Sequence, residues 1–298
     1  MRVGLIGSGY WAKQVHGTSA AQAPDVELVG VWGRDQTRTQ EAADGLGTRA
    51  YADLDRLIGD VEALTFAIPP DVQAEIATRA ARAGRHLLLE KPIATSVADA
   101  RTLEGAVADA GVASIVFFTR RFVPQTQTWL DHLAEVGGWE CGRAEISASI
   151  FTEGNPFGTS PWRHEKGGLW DVGPHALSIL WPALGPVRSV VAGAGVRDQV
   201  HLVLRHANDR SSTASLSLMV PPPAAGNALY VYGEHGREDA PPGPFDPVLA
   251  HRAALDALVA QASAAEKGHA CDVHFGARVV EVLAAAELSI RSGARVDL

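Results

Sequence analysis

Residues 2–12 read RVGLIGSGYWA, and this stretch decides the fold. Arg2 to Ile6 is a short apolar run typical of a buried strand, and Tyr10 to Gln22 can continue as a helix until Pro24 ends the pattern. The glycine-rich turn at residues 7–9 stands between them. A strand, a glycine turn and a helix in this order are typical of the first unit of a nucleotide-binding α/β fold.

The alternation of apolar runs and helical patterns continues to residue 118. The predicted elements are strands over Val26–Trp32 and Val61–Ile68, a helix over Val72–Ala83, a strand over His86–Leu89, a helix over Val97–Ala110 and a strand over Val112–Phe118. Strands this apolar are buried on both faces, as in a parallel sheet covered by helices. The sequence therefore predicts an α/β protein whose N-terminal part is a doubly wound parallel sheet.

Length and charge restrict the possible partners. A chain of 298 residues is long for one core, so we expect two domains, 1–118 and 119–298. The net charge of −8 argues against a nucleic-acid partner, because phosphates require a basic face. No apolar run approaches the roughly 20 residues that cross a bilayer, and no signal peptide precedes the first strand. We expect a cytoplasmic protein that binds a small molecule, with no membrane partner.

No metal site is predicted. Cys141 and Cys271 lie far apart without a CxxC spacing, and the histidines form no cluster with the spacing of metal ligands. Free buried thiols are the simpler interpretation of the two cysteines.

The turn at Gly7-Ser8-Gly9 matches the GxGxxG/A pattern of dinucleotide-binding loops, with Ala12 in the last position. Gly7 permits the tight turn, Gly9 lets the backbone approach a pyrophosphate, and Ala12 keeps the helix close to the sheet. A nicotinamide dinucleotide is the predicted ligand. The alternative is a tight turn without a ligand.

The residues after the second strand bear on the choice of dinucleotide. An acidic side chain there accepts from the ribose hydroxyls of NAD, whereas an arginine can pair with the 2′-phosphate of NADP. Asp35 comes one or two positions later than such an acid, while Arg34 and Arg38 can converge on a phosphate. This favours NADP, with NAD as the alternative; a solvated helix start would also explain both arginines.

Glu90-Lys91-Pro92 follows the strand that ends at Leu89. Lys91 is thereby placed at the carboxyl edge of the sheet, where open α/β sheets bind their ligands. Pro92 could follow a cis bond and would fix the direction of the backbone after Lys91. We interpret Lys91 as functional rather than as a solvated surface lysine.

A second group of residues runs from Gly167 to His175 and reads GGLWDVGPH. If a helix begins near Asp171, then Asp171 and His175 lie on one face, where the carboxylate can orient the imidazole. Pro174 fits only within the first turn of such a helix. The simpler alternative is an N-cap aspartate followed by a core histidine.

Taken together, these motifs resemble the family of glucose-fructose oxidoreductase, inositol dehydrogenase and rhizopine-catabolism proteins, abbreviated Gfo/Idh/MocA. The resemblance covers nearly the whole chain. Its landmarks, in the order of the family, are Gly7-x-Gly9-x-x-Ala12, Glu90-Lys91-Pro92, Arg121-Phe122-x-Pro124, Trp162-Arg163 and Gly167-Gly168-x-x-Asp171-x-x-x-His175.

The resemblance implies a Rossmann domain followed by an α/β domain with a large, open, mostly antiparallel sheet that is commonly used in oligomer contacts. The alternating runs Val200–Arg205 and Thr213–Val220, with Leu229–Tyr232, agree with such a sheet. Thr213, Ser215 and Ser217 share one strand face, which should meet solvent or a second subunit. The helix over Phe275–Arg291 resembles the closing helix that packs back on the first domain. We expect a homodimer or homotetramer.

The resemblance also implies roles for individual residues. Lys91, Asp171 and His175 are the implied catalytic residues. The predicted cofactor-binding residues are Gly7, Ser8, Gly9, Tyr10, Trp11, Ala12, Gly33, Arg34, Arg38, Ile68, Pro69, Glu90, Lys91, Trp162 and Arg163. The predicted substrate-binding residues are Lys91, Arg121, His164, Asp171 and His175.

The expected reaction is hydride transfer between a nicotinamide and a sugar, cyclitol or related hydroxy or keto compound. Lys91 would hold the reacting oxygen, while His175 passes the proton and Asp171 tunes the imidazole. Two alternatives remain open: a cofactor-dependent glycosidase of the same fold and a ligand-sensing regulatory protein. Arg120, Ser178 and Gln73 stand where family members often have Asn, Asp and His, so the substrate is not defined.

Overall fold

The computed structural model describes residues 1–298. The strands are β1 (Arg2–Ile6), β2 (Glu27–Trp32), β3 (Arg49–Tyr51), β4 (Ala63–Phe66), β5 (His86–Leu89), β6 (Ser114–Val116), β7 (Trp139–Ser147), β8 (Val187–Ala194), β9 (Val200–His206), β10 (Ser211–Ser217), β11 (Gly226–Gly233), β12 (Gly236–Asp239) and β13 (Val296–Asp297).

The helices are α1 (Thr18–Ala21), α2 (Gln36–Leu46), α3 (Leu54–Asp60), α4 (Pro70–Arg82), α5 (Val97–Ala110), α6 (Pro124–Val136), α7 (Pro161–Asp171), α8 (Gly173–Leu184), α9 (Pro247–Ser263) and α10 (Val273–Ser292). A π-helical segment, Ala12–Gly17, runs directly into α1. The prediction of a single α-helix from Tyr10 to Gln22 is therefore wrong, because residues Ala12–Gly17 have the hydrogen bonds of a π-helix.

The first sheet contains six strands in the order β3-β2-β1-β4-β5-β6, and every neighbouring pair is parallel. This confirms the predicted doubly wound sheet. The chain builds outward from β1 through β2 to β3 and then returns to the other side of β1 with β4. Ligands of such sheets bind beyond the carboxyl ends of the strands, at the point where the order reverses.

Local sequence explains where several helices of the first unit begin and end. Asp35, Asp53 and Ser96 each accept a hydrogen bond from a backbone N–H in the first turn of the following helix. Gly47 and Gly111 end α2 and α5 in the left-handed conformation.

The second sheet has the order β12-β11-β7-β10-β9-β8-β13. Only β7 and β10 pair in parallel, so the predicted open, mostly antiparallel sheet is confirmed. Buried and exposed residues alternate strictly along β9. A Cβ at Gly142 in β7 would lie 2.8 Å from the Leu180 side chain of α8, so this helix packs closely on one face of the sheet.

The prediction that one face of β10 meets solvent or a subunit is only partly correct. Thr213 and Ser215 are half-buried, but Ser217 is fully enclosed. The Ser217 hydroxyl donates to Asp198 Oδ1 at 2.6 Å, which explains why a polar side chain is buried there.

The chain forms two compact units. The first contains Met1–Val123 and Phe245–Ala277, and the second contains Pro124–Pro244 and Arg278–Leu298. Within the first unit, α9 packs against the π-helical segment, α1, β5 and β6. The predicted division into domains 1–118 and 119–298 stays a prediction. No helix combines the length and the apolar character needed to cross a bilayer.

Candidate functional site

The glycine-rich turn has the geometry that the sequence predicts. Gly7 has φ 126°, and a Cβ there would lie 2.5 Å from the carbonyl oxygen of Ala67. Its N–H donates to the Trp32 carbonyl oxygen at 2.7 Å, which fixes the end of β1 beside β2. By contrast, a Cβ at Gly9 would meet no atom within 4 Å. Gly7 is therefore required by the fold, whereas Gly9 leaves open space beside the turn.

The residues after β2 separate into a tight contact and an exposed face. A Cβ at Gly33 would lie 2.8 Å from Ser8 Oγ, so the two segments touch. Arg34 and Arg38 are both exposed. The Asp35 carboxylate accepts from Arg38 N at 3.1 Å and lies 3.6 Å from Arg38 Nε. Asp35 is thus used as the N-cap of α2, and both guanidinium groups reach solvent.

The carboxyl end of β4 leads directly to the start of α4. Ile68 and Pro69 are half-buried, and Pro69 occupies the N-cap position of that helix. Backbone N–H groups at a helix N-terminus attract anions. These two residues therefore lie where the sequence predicts a contact with the dinucleotide.

Glu90 and Lys91 follow β5 directly and are half-buried. The Lys91–Pro92 peptide bond is cis, as the sequence suggests. Glu90 Oε1 accepts from Trp11 Nε1 at 2.7 Å, and Glu90 Oε2 accepts from Lys91 N at 3.0 Å. One carboxylate thus joins the glycine-rich segment to the backbone of Lys91.

Gln73 holds the same segment from the side of α4. Its Oε1 accepts from Glu90 N at 2.8 Å, and its Nε2 donates to the carbonyl oxygens of Glu90 at 2.8 Å and Pro92 at 3.3 Å. Gln73 is fully buried. The Gln73 side chain therefore holds the backbone on both sides of Lys91.

Arg121 lies beyond the carboxyl end of β6, in a short 3₁₀ helix from Thr119 to Phe122. It is buried, whereas its neighbour Arg120 is half-buried and lies with its guanidinium 5.1 Å from the ring centre of Phe245. Two adjacent arginines therefore stand at the same edge of the sheet as Lys91.

The second unit brings the predicted residues of α7 together. Arg163 Nε donates to Asp171 Oδ2 at 3.1 Å, and both side chains are largely buried. The Arg163 guanidinium also lies 4.7 Å from the ring centre of Trp162 and 5.1 Å from that of Phe157. A charge-assisted hydrogen bond to a guanidinium favours the ionised carboxylate.

His164 is exposed and turned toward the loop that precedes α7. Its Nε2 donates to the Gly158 carbonyl oxygen at 2.8 Å, and its ring centre lies 4.0 Å from that of Phe151. The proton on Nε2 leaves Nδ1 as the acceptor of the neutral ring.

The hypothesis that Asp171 and His175 share one helix is wrong. α7 ends at Asp171, and α8 begins at Gly173, with the half-buried His175 in its first turn. Pro174 does lie in that first turn, as predicted. Because a proline has no N–H and is favoured at the start of a helix, it begins a new helix here rather than extending α7.

Asp198 fixes the glycine pair before Asp171, and the sequence analysis missed it. Its Oδ2 accepts from Gly168 N at 3.0 Å and Leu218 N at 2.7 Å, while Oδ1 accepts from Ser217 Oγ and from Met219 N at 3.2 Å. An isolated aspartate in a turn carries no pattern that predicts these partners.

Family models match two parts of the chain. A model described as an oxidoreductase family with an NAD-binding Rossmann fold matches residues 1–118, and a Gfo/Idh/MocA C-terminal domain model matches residues 140–237. The chain belongs to the Gfo/Idh/MocA oxidoreductase family.

Two curated relatives in this family are similar in sequence. An uncharacterised oxidoreductase, YdgJ, of Escherichia coli is 29% identical over 79% of this chain and 70% of the relative. D-xylose 1-dehydrogenase (NADP(+)) 2 of Haloferax volcanii is 30% identical over 66% of this chain, and the match covers 62% of that relative's length.

A solved dehydrogenase structure has the same fold. The WlbA dehydrogenase of Bordetella pertussis, solved in complex with NADH and UDP-GlcNAcA, superposes with a TM-score of 0.84 at 22% identity. The alignment covers 100% of this chain and 98% of that one.

The predicted site residues of this family member fall into two sets. The glycine-rich turn, the end of β2 and the Glu90–Lys91 segment lie in the first unit, and Trp162, Arg163, His164, Asp171 and His175 lie in the second. Their binding and catalytic roles stay predictions.

Proposed function

We propose that the protein transfers a hydride between a nicotinamide dinucleotide and a sugar, cyclitol or related hydroxy or keto compound. The observation that carries the proposal is the position of Lys91. This lysine directly follows β5, at the carboxyl edge of the parallel sheet that also carries the glycine-rich turn. Ligands of such sheets bind at this edge.

The glycine-rich turn fits a dinucleotide. Open space at Gly9 lets a pyrophosphate approach the backbone, and Gly7 gives the tight turn that starts the helical segment. When bound, the nicotinamide would supply the hydride donor or acceptor at its C4. The turn itself, with Ser8, Tyr10, Trp11 and Ala12, binds and orients the ligand.

We favour NADP over NAD as the cofactor. Asp35 is engaged as a helix N-cap, while Arg34 and Arg38 are exposed next to it and can pair with a 2′-phosphate. The similarity to an NADP-dependent D-xylose dehydrogenase supports this preference. The similarity to a fold solved with NADH keeps NAD as the alternative.

Lys91 and His175 are the proposed catalytic pair. The Lys91 ammonium would hold the reacting oxygen and stabilise negative charge that develops on it, and His175 would pass the proton. Asp171 would act as an anion rather than as an acid, because its hydrogen bond to Arg163 favours the carboxylate. This carboxylate would stabilise the protonated form of His175.

We propose a polyol-like substrate bound by Lys91, Asp171 and His175 together with Arg121 and His164. The printed activity of the H. volcanii relative and the sugar nucleotide in the B. pertussis structure support this class.

The proposed assembly is a cytoplasmic homodimer or homotetramer that uses the open face of the second sheet. Val191 in β8 and Val203 in β9 pair across the sheet, and their side chains are 44% and 48% exposed. A second subunit on this face would remove both valines from water, which is favourable.

The experiment is a Lys91→Met substitution, assayed with NADP and NAD against a panel of polyols and ketosugars. We expect kcat to fall by about 100-fold or more, because the charge at the reacting oxygen is lost. Dinucleotide binding should remain measurable. The control is Lys267→Met, since Lys267 binds the carbonyl oxygens of Ala262 and Ala264 at the end of α9.

Turnover by Lys91→Met at the wild-type rate would contradict the assignment. Release of a hydrolysed sugar without net formation of reduced dinucleotide would indicate a glycosidase instead.

A further inference from the structure

A chain of buried polar side chains runs through the first unit behind Lys91. His16 lies in the π-helical segment, Thr65 in β4 and His251 in α9, and all three are 0% exposed. His251 Nε2 lies 3.1 Å from Thr65 Oγ1, and Thr65 Oγ1 lies 2.8 Å from His16 Nδ1. His16 Nε2 lies 3.1 Å from Glu90 Oε1, where the chain ends.

The hydrogen bonds that join these four side chains all point in one direction, from His251 towards Glu90. The Glu90 carboxylate can only accept, so His16 must carry its proton on Nε2 and donate to it. In a neutral His16 ring, Nδ1 then accepts from the Thr65 hydroxyl, which donates its only proton there. Thr65 Oγ1 must in turn accept from His251 Nε2.

The unpaired end of His251 agrees with this direction. His251 Nδ1 is buried and has no hydrogen-bond partner. With the proton on Nε2, Nδ1 is a bare acceptor, and no buried N–H is left unpaired. Burial lowers the pKa of His251 well below its ordinary value, so this ring stays neutral.

Apolar residues would fill this part of the core at a lower cost. The Phe117 ring is nearly perpendicular to both imidazoles, and its centre lies 5.8 Å from that of His16 and 5.0 Å from that of His251. Polar groups in such surroundings are stable only when they are hydrogen-bonded. His16 also lies in a π-helical segment, a distortion that is frequent at functional sites.

We propose that His251, Thr65 and His16 are positioning residues that hold Glu90 as a hydrogen-bonded carboxylate and thereby fix the backbone of Lys91. The inference rests on the proposed function for its effect on catalysis. Glu90 Oε1 receives donors from His16 and Trp11, and Oε2 receives the N–H of Lys91. Loss of one donor frees the carboxylate to turn, which moves the lysine that it holds.

The test compares Thr65→Val with Thr65→Ser. Valine keeps the shape of threonine and removes the hydroxyl, whereas serine keeps the hydroxyl and removes a methyl group. Thr65→Val should lower kcat by about 10- to 100-fold while the KM for the dinucleotide changes much less, because misplacement of a catalytic group affects mainly the chemical step. Thr65→Ser should retain wild-type kcat within about threefold.

A second measurement needs no substrate. Long-range ¹H–¹⁵N NMR spectra of the full chain report which nitrogen of each histidine carries the proton, and His16→Gln identifies the His16 signals. We expect the wild type and Thr65→Ser to have His16 protonated on Nε2 alone. In Thr65→Val, the Glu90 carboxylate still selects the Nε2 proton, so this tautomer should remain, while the ¹⁵N chemical shift of His16 Nδ1 should change because its hydrogen bond is lost. His251→Phe should keep the His16 tautomer, since the Thr65 hydroxyl still donates to Nδ1.

A proton on Nδ1 of His16 in the wild type would mean that His16 donates to Thr65, and this would overturn the proposal. A Thr65→Val protein with wild-type kcat and an unchanged ¹⁵N chemical shift of His16 Nδ1 would overturn it as well. If the wild type turns over none of the compounds tested, the proposed function fails. The NMR result still decides the hydrogen-bond chain in that case.

Discussion

At the residue scale, Arg34 and Arg38 determine the charge at the position where the adenosine end of a dinucleotide would bind. Arg34 and Arg38 are exposed, and the neighbouring carboxylate of Asp35 caps α2. Two guanidinium groups would bind the ribose hydroxyl of NAD only weakly, whereas they would form charge-assisted hydrogen bonds with the 2′-phosphate of NADP.

The double substitution Arg34→Ser with Arg38→Ser should therefore weaken NADPH binding selectively. We expect the Kd for NADPH to rise by about tenfold or more and the Kd for NADH to stay within about twofold. Isothermal titration calorimetry with both dinucleotides measures the difference. Arg56→Ser, at an exposed arginine in α3, is the control. Equal weakening of both dinucleotides would contradict the proposed 2′-phosphate contact.

At the element scale, Asp198 holds the kink at Gly167 inside α7 against the end of β10. Gly167 has φ 60°, and a Cβ at Gly168 would lie 2.8 Å from Ser217 Cα, so the start of this segment lies directly against the end of β10. The Asp198 carboxylate accepts four hydrogen bonds across that contact. It thereby sets where Asp171 stands at the end of α7.

Asp198→Asn should destabilise this contact. The amide nitrogen of asparagine would face donors that now bind a carboxylate oxygen, which costs about 1–3 kcal/mol of the free energy of unfolding. Urea denaturation of the variant, with Asp209→Asn as a control, measures the loss; Asp209 has a side chain that is 96% exposed. Equal stability of the two variants would mean that Asp198 does not hold the segment.

The sequence predicts some elements well and others poorly, for identifiable reasons. β5 and α5 have the predicted bounds, because an apolar run and a Ser96 cap followed by a closing glycine mark their ends. β3 and α3 are missed because they are short and lack a clear periodicity. The helix break at Val172 is missed because α7 is not predicted, and the expected helix start near Asp171 lies two residues before α8 begins.

The candidate site shows the same division. Gly7, Gly9 and Lys91 follow from local motifs whose geometry depends on adjacent residues. Thr65 and His251 are 186 residues apart in the sequence and meet only when the sheet and α9 have formed. A single sequence carries no local pattern for such a contact.

At the scale of the whole molecule, buried histidines couple folding to pH. Burial lowers the pKa of His206 and His251 below the ordinary value of 6.5. His206 Nδ1 donates to the Gly185 carbonyl oxygen at 2.7 Å, and its Nε2 accepts from Ser212 Oγ at 2.8 Å. The folded protein thus favours the neutral rings, while the unfolded chain takes up protons as the pH falls below 6.5.

Stability should therefore be fully present above pH 6.5 and decrease as the pH falls toward the folded-state pKa values. Urea denaturation at about pH 7.5 and about pH 5.5 measures this decrease. His206→Gln should reduce the difference between the two conditions, whereas His235→Gln, at an exposed histidine, should leave it unchanged. An unchanged difference in His206→Gln would exclude a contribution from this ring.

The grouping of Phe245–Ala277 with the first unit is a property of the whole molecule that the sequence analysis does not predict. The sequence analysis does not predict α9, and apolar periodicity would not tell which sheet such a helix covers. The sequence restricts the order of the strands in the first sheet more strongly, because alternating strands and helices allow a parallel sheet only a few topologies.

The central claim is that the glycine-rich turn holds a nicotinamide dinucleotide, and the most direct test is titration of the wild type and Gly9→Val with NADPH and NADH. A Cβ at Gly9 meets no protein atom within 4 Å, so the variant should keep the wild-type melting temperature. Its side chain would occupy the space proposed for the pyrophosphate, and we predict that NADPH binding falls by about 100-fold or more. Absence of binding to the wild type, or equal binding to the folded variant, would contradict the account.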